Sequence, residues 1–293
     1  MLDHYAEWGI DRAKLFHVTN GQRDYAGADG IARPFANDTR ETYNRFGFFG
    51  QIVDAKGVHI VLRAVDLLRA EGFTDFAIEI NGDNINYASP EVRAEIERFM
   101  EEEKQRPSSE RRVWFNGSYE TRELRARMSR VDWCIVPSLW WEAFALVISE
   151  AWMFGKPVIC SNVGAMADRV TNEVDGFHFE MGDPAALART IKRAATEPGL
   201  WPRLAGALPS PPSRAEMVDG FRRVYQDEPI VAAEATDRRM PTTRRSDDRT
   251  KRSVSRQRAK DHEPPHPVAK RQPIVAPLLS ATIDGLQSGM RHD

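Results

Sequence analysis

The apolar positions of this chain change period in a repeating way. Phe46-Gly47-Phe48-Phe49-Gly50-Gln51-Ile52 is a nearly continuous apolar run bounded by glycine, the pattern of a strand buried on both faces. Gly57 to Glu71 then carries Val58, Val61, Leu62, Val65 and Leu68 on one helical face, with Gly72 as the stop. The alternation continues. Strands are predicted over Phe76 to Ile80, Val113 to Phe115, Asp132 to Val136, Pro157 to Cys160 and Gly176 to Phe179. Helices are predicted over Pro90 to about Gln105, Thr121 to Arg130, the stretch after Glu142, a short segment after Gly164, and Asp183 to about Thr196.

Strands alternating with helices at this spacing imply an α/β fold, a doubly wound parallel sheet covered on both faces. Ligands of such sheets sit beyond the C-terminal ends of the strands. That rule gathers Gly50-Gln51, Asn81-Gly82-Asp83, Gly117-Ser118, Trp141-Glu142 and Val163-Gly164 into one predicted rim.

The ends of the chain read differently. Residues 1–44 mix a helix ending near Tyr5 to Ile10, a short strand over Lys14 to Gly21 and an Asp/Gly/Ala-rich linker. Residues 45–200 form the predicted α/β domain, and 201–228 a partial C-terminal helix over Glu216 to Tyr225. Residues 229–293 are rich in Arg, Ser, Asp, Pro and Thr and read as a disordered basic tail.

Composition narrows the function. The net charge of -2 gives no global field for nucleic acid, and none is expected as a partner. The basic tail is a candidate for peripheral contact with an anionic membrane, weighed against a merely soluble tail. The 2 cysteines, Cys134 and Cys160, fall in predicted core strands and read as buried thiols. No apolar run is long enough to span a bilayer and no signal-peptide pattern opens the chain, so a cytoplasmic location is expected. No His/Cys/Asp cluster has metal spacing, so no metal or other cofactor is expected. No Gly-x-Gly-x-x-Gly follows the first strand, which disfavours a dinucleotide. His59 and His178 lie on predicted elements and read as structural, and Asp83 as a turn residue.

The chemistry concentrates in Pro137-Ser138-Leu139-Trp140-Trp141-Glu142-Ala143-Phe144-Ala145-Leu146-Val147-Ile148-Ser149-Glu150. Within one continuous helix the two glutamates would lie roughly 12 Å and ~80° apart. They converge only if Glu142 sits on the loop and Glu150 on the helix. A helix N-terminus between them offers free N–H groups to phosphate. Lys56-Gly57, at the mouth of an earlier helix, adds a cation, and Gly50 allows close approach of a ligand to the main chain. Gly164 and the helix start to Asp168 offer a second anion or sugar site, or only a tight turn.

Phe46 to Gln51 with Lys56-Gly57, the Pro137 to Glu142 stretch with Glu150, Gly155-Lys156-Pro157-Val158-Ile159-Cys160-Ser161, Gly176 to Phe179 and Gly182-Asp183-Pro184 together resemble a known family. They are similar to the donor-binding half of retaining glycosyltransferases of family 4, with the GT-B fold, over about Leu15 to Thr196. The resemblance implies that Glu142, as the first glutamate of a Glu-x(7)-Glu motif, is the catalytic residue and contacts the donor sugar. Glu150 would hold the ribose and Lys56 the diphosphate, beside Gly50, Gln51 and the amides near Phe144, Ala145 and Leu146. Ser118 and Tyr119 would lie near the base. The implied partner is a nucleotide sugar, transferred with retention to a saccharide or lipid-linked acceptor, as in polysaccharide biosynthesis. The chain departs from the family at Gln51, where arginine is common, at Ala145, where glycine is common, and at Asp168, where glutamate is usual. The resemblance also implies an N-terminal acceptor domain before Leu15, most of which the chain is expected to lack. The alternative is therefore a non-catalytic orphan half that binds nucleotide sugar or pairs with a separate acceptor domain.

Overall fold

A sheet of six parallel strands, in the order β3-β2-β1-β4-β5-β6, forms the centre of the described residues. The structure is a computed structural model, and it describes residues 2–22 and 42–226. The linker after residue 22 and the basic tail, on which the sequence reading also bears, lie outside the described residues. The strands are β1 (Arg45–Phe49), β2 (Ala77–Asn81), β3 (Val113–Phe115), β4 (Trp133–Val136), β5 (Val158–Ser161) and β6 (Gly176–Phe179). The helices are α1 (Leu2–Glu7), α2 (Val58–Ala70), α3 (Pro90–Gln105), α4 (Leu124–Met128), α5 (Leu146–Met153), α6 (Gly164–Arg169), α7 (Pro184–Thr196), α8 (Leu200–Gly206) and α9 (Arg214–Tyr225).

Alternation along the strands sorts the core into two layers. Phe46, Phe48, Ile78, Ile80, Trp133, Ile135, Ile159 and Phe177 pack beneath α2, α3, α7 and α8. Phe49, Cys134, Val136, Val158 and Cys160 turn to the other face, beneath α4, α5 and α6. Both faces are covered, which is why the strands read as unbroken apolar runs rather than as alternating ones. Both cysteines are free and fully buried, and burial pushes each thiol upward.

Caps set several boundaries. Ser89 accepts the N–H of Val92 with Pro90 at the first turn, so α3 begins where the sequence placed it. Asp183 accepts the N–H groups of Ala185 and Ala186 ahead of Pro184 at the start of α7. The predicted helix over Thr121 to Arg130 resolves into a 3₁₀ turn, Thr121–Glu123, followed by the short α4.

One expectation fails. The predicted strand over Lys14 to Gly21 is absent. Arg12–Lys14 is a 3₁₀ turn, and only an isolated bridge, Gln22 to Ser213, follows. Phe16 is 49% exposed there, so no buried neighbour organises a strand. α8 carries the core past residue 200. Its Leu200, Trp201 and Leu204 are fully buried. Trp201 stacks on Tyr43 at 4.1 Å and donates its indole N–H to the Asp132 carbonyl (2.9 Å). Among the described residues no helix is long and apolar enough to cross a membrane.

Candidate functional site

The strand order reverses between β1 and β4, and the loops leaving these two neighbours meet. In open parallel sheets this switch point is where ligands bind. Main-chain bonds sew the exits together: Gly50 N–H to Asn81 O (3.0 Å), Ile52 N–H to Asp83 O (2.6 Å), Gly82 N–H to Gly117 O (3.0 Å), Leu139 N–H to Ala55 O (2.8 Å) and Ala165 N–H to Glu142 O (3.2 Å). The five exits predicted to be neighbours are therefore one continuous rim. Two glycines make the approach possible. A Cβ on Gly57 would lie 2.0 Å from the Pro137 carbonyl oxygen, and one on Gly82 1.8 Å from that of Gly50. Gly57 also takes a left-handed φ of 72°, which ends the 3₁₀ turn Asp54–Lys56 and starts α2.

That turn places Lys56 opposite Glu142. Lys56 Nζ donates to Glu142 Oε1 at 2.5 Å, and Ser138 Oγ donates to the same oxygen at 2.9 Å. Glu142 is 8% exposed. Burial disfavours its ionised form. Hydrogen bonds from Lys56 and Trp140, the Lys56 charge and the Ser138 hydroxyl outweigh that effect and hold the carboxyl below the ordinary value. The result is a shielded ion pair between the exits of β1 and β4.

Glu142 sits on the loop and Glu150 inside α5, the division that convergence requires. Glu150 is half-buried, and its charge adds to the effect of burial in raising the Cys134 thiol of β4. Ala145 caps α5 in the left-handed region, φ 54° and ψ 74°. That conformation costs a residue with a Cβ about 1 kcal/mol, which accounts physically for a glycine preference there. Phe144 is half-buried and Leu146 is 52% exposed. Gly50 stands at the exit of β1 and Gln51 beside it is exposed.

At the exit of β3, Ser118 is exposed and Tyr119 packs edge-on against Phe49 at 6.0 Å. A residue that the sequence did not single out organises this loop. Arg127 on α4 donates to the carbonyls of Asn116 (3.2 Å), Gly117 (3.1 Å) and Ser118 (2.8 Å) and to Asn81 Oδ1 (3.2 Å). Its guanidinium also lies 5.2 Å from the Tyr119 ring centroid. Arg169 plays a comparable part before α5. Neither arginine belongs to a spacing motif, because most of their partners are main-chain carbonyl oxygens and any residue type supplies those.

The histidines and Asp83 sit in local structural settings. His59 is buried in α2 with its pKa lowered by burial, and His178 Nε2 meets the Val170 carbonyl at 2.8 Å. Asp83 accepts the N–H of Asn84 in a turn. Asp168 is exposed on α6. Among the described residues no three His, Cys, Asp or Glu side chains are grouped to hold a metal.

Sheet order, two covered faces and a rim at the switch point define a Rossmann-like α/β domain. The profile of the family described as Glycosyl transferases group 1 matches residues 32–235, and the chain belongs to that family. It is 28% identical over 183 residues to the glycogen synthase of Mycobacterium tuberculosis, covering 62% of this chain and 41% of the relative. It is 31% identical over 152 residues to the 2-deoxystreptamine glucosyltransferase of Streptomyces kanamyceticus, covering 52% and 36%. The chain thus spans less than half the length of these curated relatives. Among solved structures, a glycosyltransferase from Rickettsia africae superposes with a TM-score of 0.60 at 20% identity, over 77% of this chain and 60% of that one. Anabaena Alr3699/HepE, in complex with UDP and glucose, superposes with a TM-score of 0.50 at 21% identity, over 63% and 48%. These likenesses show the shared fold.

Proposed function

We propose that this chain is the donor-binding part of a retaining glycosyltransferase and that its rim binds a nucleotide sugar. The observation that carries the reading is the Lys56–Glu142 pair at the switch point, beside the N-terminus of α5. Breaking a sugar–phosphate bond builds positive charge on the sugar and negative charge on the leaving diphosphate. In this reading Lys56 and the first amides of α5 stabilise the diphosphate, and Glu142 contacts the sugar. Glu150, one turn into α5, holds the ribose, and the Ser118–Tyr119 loop meets the base. UDP and glucose in the HepE structure support a nucleotide sugar as the ligand class.

A second reading has the chain act as a half that works with a separate acceptor-binding domain. Exposed aromatic residues favour it: Trp140 and Trp141 at the rim, and Phe221 and Tyr225 on α9. Transfer assays of the chain alone and mixed with a candidate partner domain separate the two readings.

Calorimetry against a panel of UDP- and GDP-sugars tests the main proposal. Binding of at least one member is expected. Glu150→Ala should weaken nucleotide and nucleotide sugar alike, whereas Glu142→Ala should weaken only the sugar's share. Failure of the whole panel to bind would overturn the assignment.

A further inference from the structure

Arg169 ends α6 and reaches back over the loop that precedes α5. Its Nη1 donates to the carbonyl oxygens of Phe144 (2.6 Å) and Ala145 (3.0 Å), and its Nη2 to Ser149 Oγ (2.5 Å). The guanidinium carbon lies 3.8 Å from the Phe144 ring centroid and 5.1 Å from that of Trp152. Among the described residues no carboxylate pairs with it, and burial alone brings the group down to about 10. A half-buried guanidinium held by carbonyls, a hydroxyl and two ring faces keeps its positive charge uncompensated.

The backbone explains what that charge acts on. In an extended chain successive carbonyls point to opposite sides. The left-handed turn at Ala145 brings two of them onto one nitrogen. Both peptides are trans, so the N–H groups of Ala145 and Leu146 point away from the guanidinium. A donor on the carbonyl side polarises a peptide and strengthens its N–H as a donor. Leu146 opens α5, and the first N–H groups of a helix have no acceptor within it. Lys56, by contrast, is neutralised by Glu142 across the rim.

We propose that Arg169 is a positioning residue for a diphosphate group: it fixes the left-handed turn at Ala145 and places a positive charge behind the amides of Ala145 and Leu146, which hold the phosphate. This rests on the nucleotide-sugar reading and adds to it the source of the second positive charge. The role needs no contact between Arg169 and the ligand. The charge acts through two peptide units.

The test compares nucleoside diphosphate with nucleoside monophosphate, using UDP and UMP, and GDP and GMP, on the full chain by calorimetry. Arg169→Met should weaken diphosphate binding about tenfold and monophosphate binding by less than about threefold, with a shallower salt dependence. Arg169→Gln keeps a hydrogen-bond donor without charge. It should restore the melting temperature more than the diphosphate affinity. In the wild-type chain, titration with the diphosphate should move the amide proton resonances of Ala145 and Leu146 downfield, a measurement that needs no variant to fold. Should the wild type bind none of the four nucleotides, the nucleotide-sugar reading itself fails. Should it bind them while Arg169→Met keeps its diphosphate preference, or while both amide resonances stay in place, the role of Arg169 is overturned and the nucleotide reading stands.

Discussion

Two buried glutamates, Glu103 and Glu142, are wired differently. Glu103 is 2% exposed at the end of α3. Its Oε1 accepts from Arg69 (2.5 Å) and Arg106 (2.9 Å), and its Oε2 from the backbone N–H groups of Arg112 and Val113, both at 3.1 Å. Two of these donors are main chain and cannot leave without unfolding β3. Glu142 is nearly as buried, but its donors are side chains: the Lys56 ammonium, the Ser138 hydroxyl and the Trp140 indole. Lys56 keeps 30% of its side chain in solvent. One carboxylate ties a helix to a strand, while the other is held by groups free to exchange partners. Burial alone does not separate these two carboxylates, whereas the kind of donor does.

The largest effect should come from Glu103→Ala. Removing one partner of a buried ion pair costs about 3–5 kcal/mol, and here it also strands two backbone N–H groups. Urea unfolding should show that loss, and a loss under about 1 kcal/mol would erase the distinction drawn between the two acids. Glu142→Gln should do the reverse. Its stability should stay within about 1 kcal/mol of wild type, while its affinity advantage for nucleotide sugar over the free diphosphate drops about tenfold. A large fall in melting temperature with unchanged sugar preference would make Glu142 structural too.

The smallest effect is the dependence on acid. Both carboxyls are held below the ordinary value of 4.5. For Glu103 burial works the other way and is outweighed by the amides of Arg112 and Val113 and by Arg69. A depressed folded value means that the stabilisation is complete above the unfolded value and is lost as pH falls through the folded one. Stability should therefore decline on acidification below about pH 4.5. Glu103→Gln should flatten that decline more than Glu142→Gln does. Unfolding free energies measured from pH 6 down to about pH 3 decide it, and equal slopes in both variants would refute the ranking.

The same contrast explains what was legible in the sequence. The bounds of α3 and β3 follow from Ser89-Pro90 and from the Val113 to Phe115 run, because caps and apolar runs are local signals. Lys56 and Glu142 stood out because they follow strands in a regular α/β alternation. α8 did not, since Pro202 lies inside it. Proline is tolerated in a first helical turn, and only the tertiary contacts of Trp201 show that a helix stands there. The strand expected over Lys14 to Gly21 failed for the complementary reason: a fitting local pattern found no strand to pair with among the described residues. Arg127 and Arg169 were invisible because nothing in a sequence marks which carbonyl a guanidinium will find.

The seams between the strand exits are made of main chain. An amide bonded to a carbonyl is indifferent to which side chain its residue bears. Substitution around the mouth can therefore change its surface without loosening the frame, except at Gly57 and Gly82, where there is no room for even a methyl group, and at Arg127 and Arg169, whose side chains hold loop carbonyls. Such a frame separates heritable specificity from architecture, and a lineage built on it can turn over its ligands while its backbone stays put.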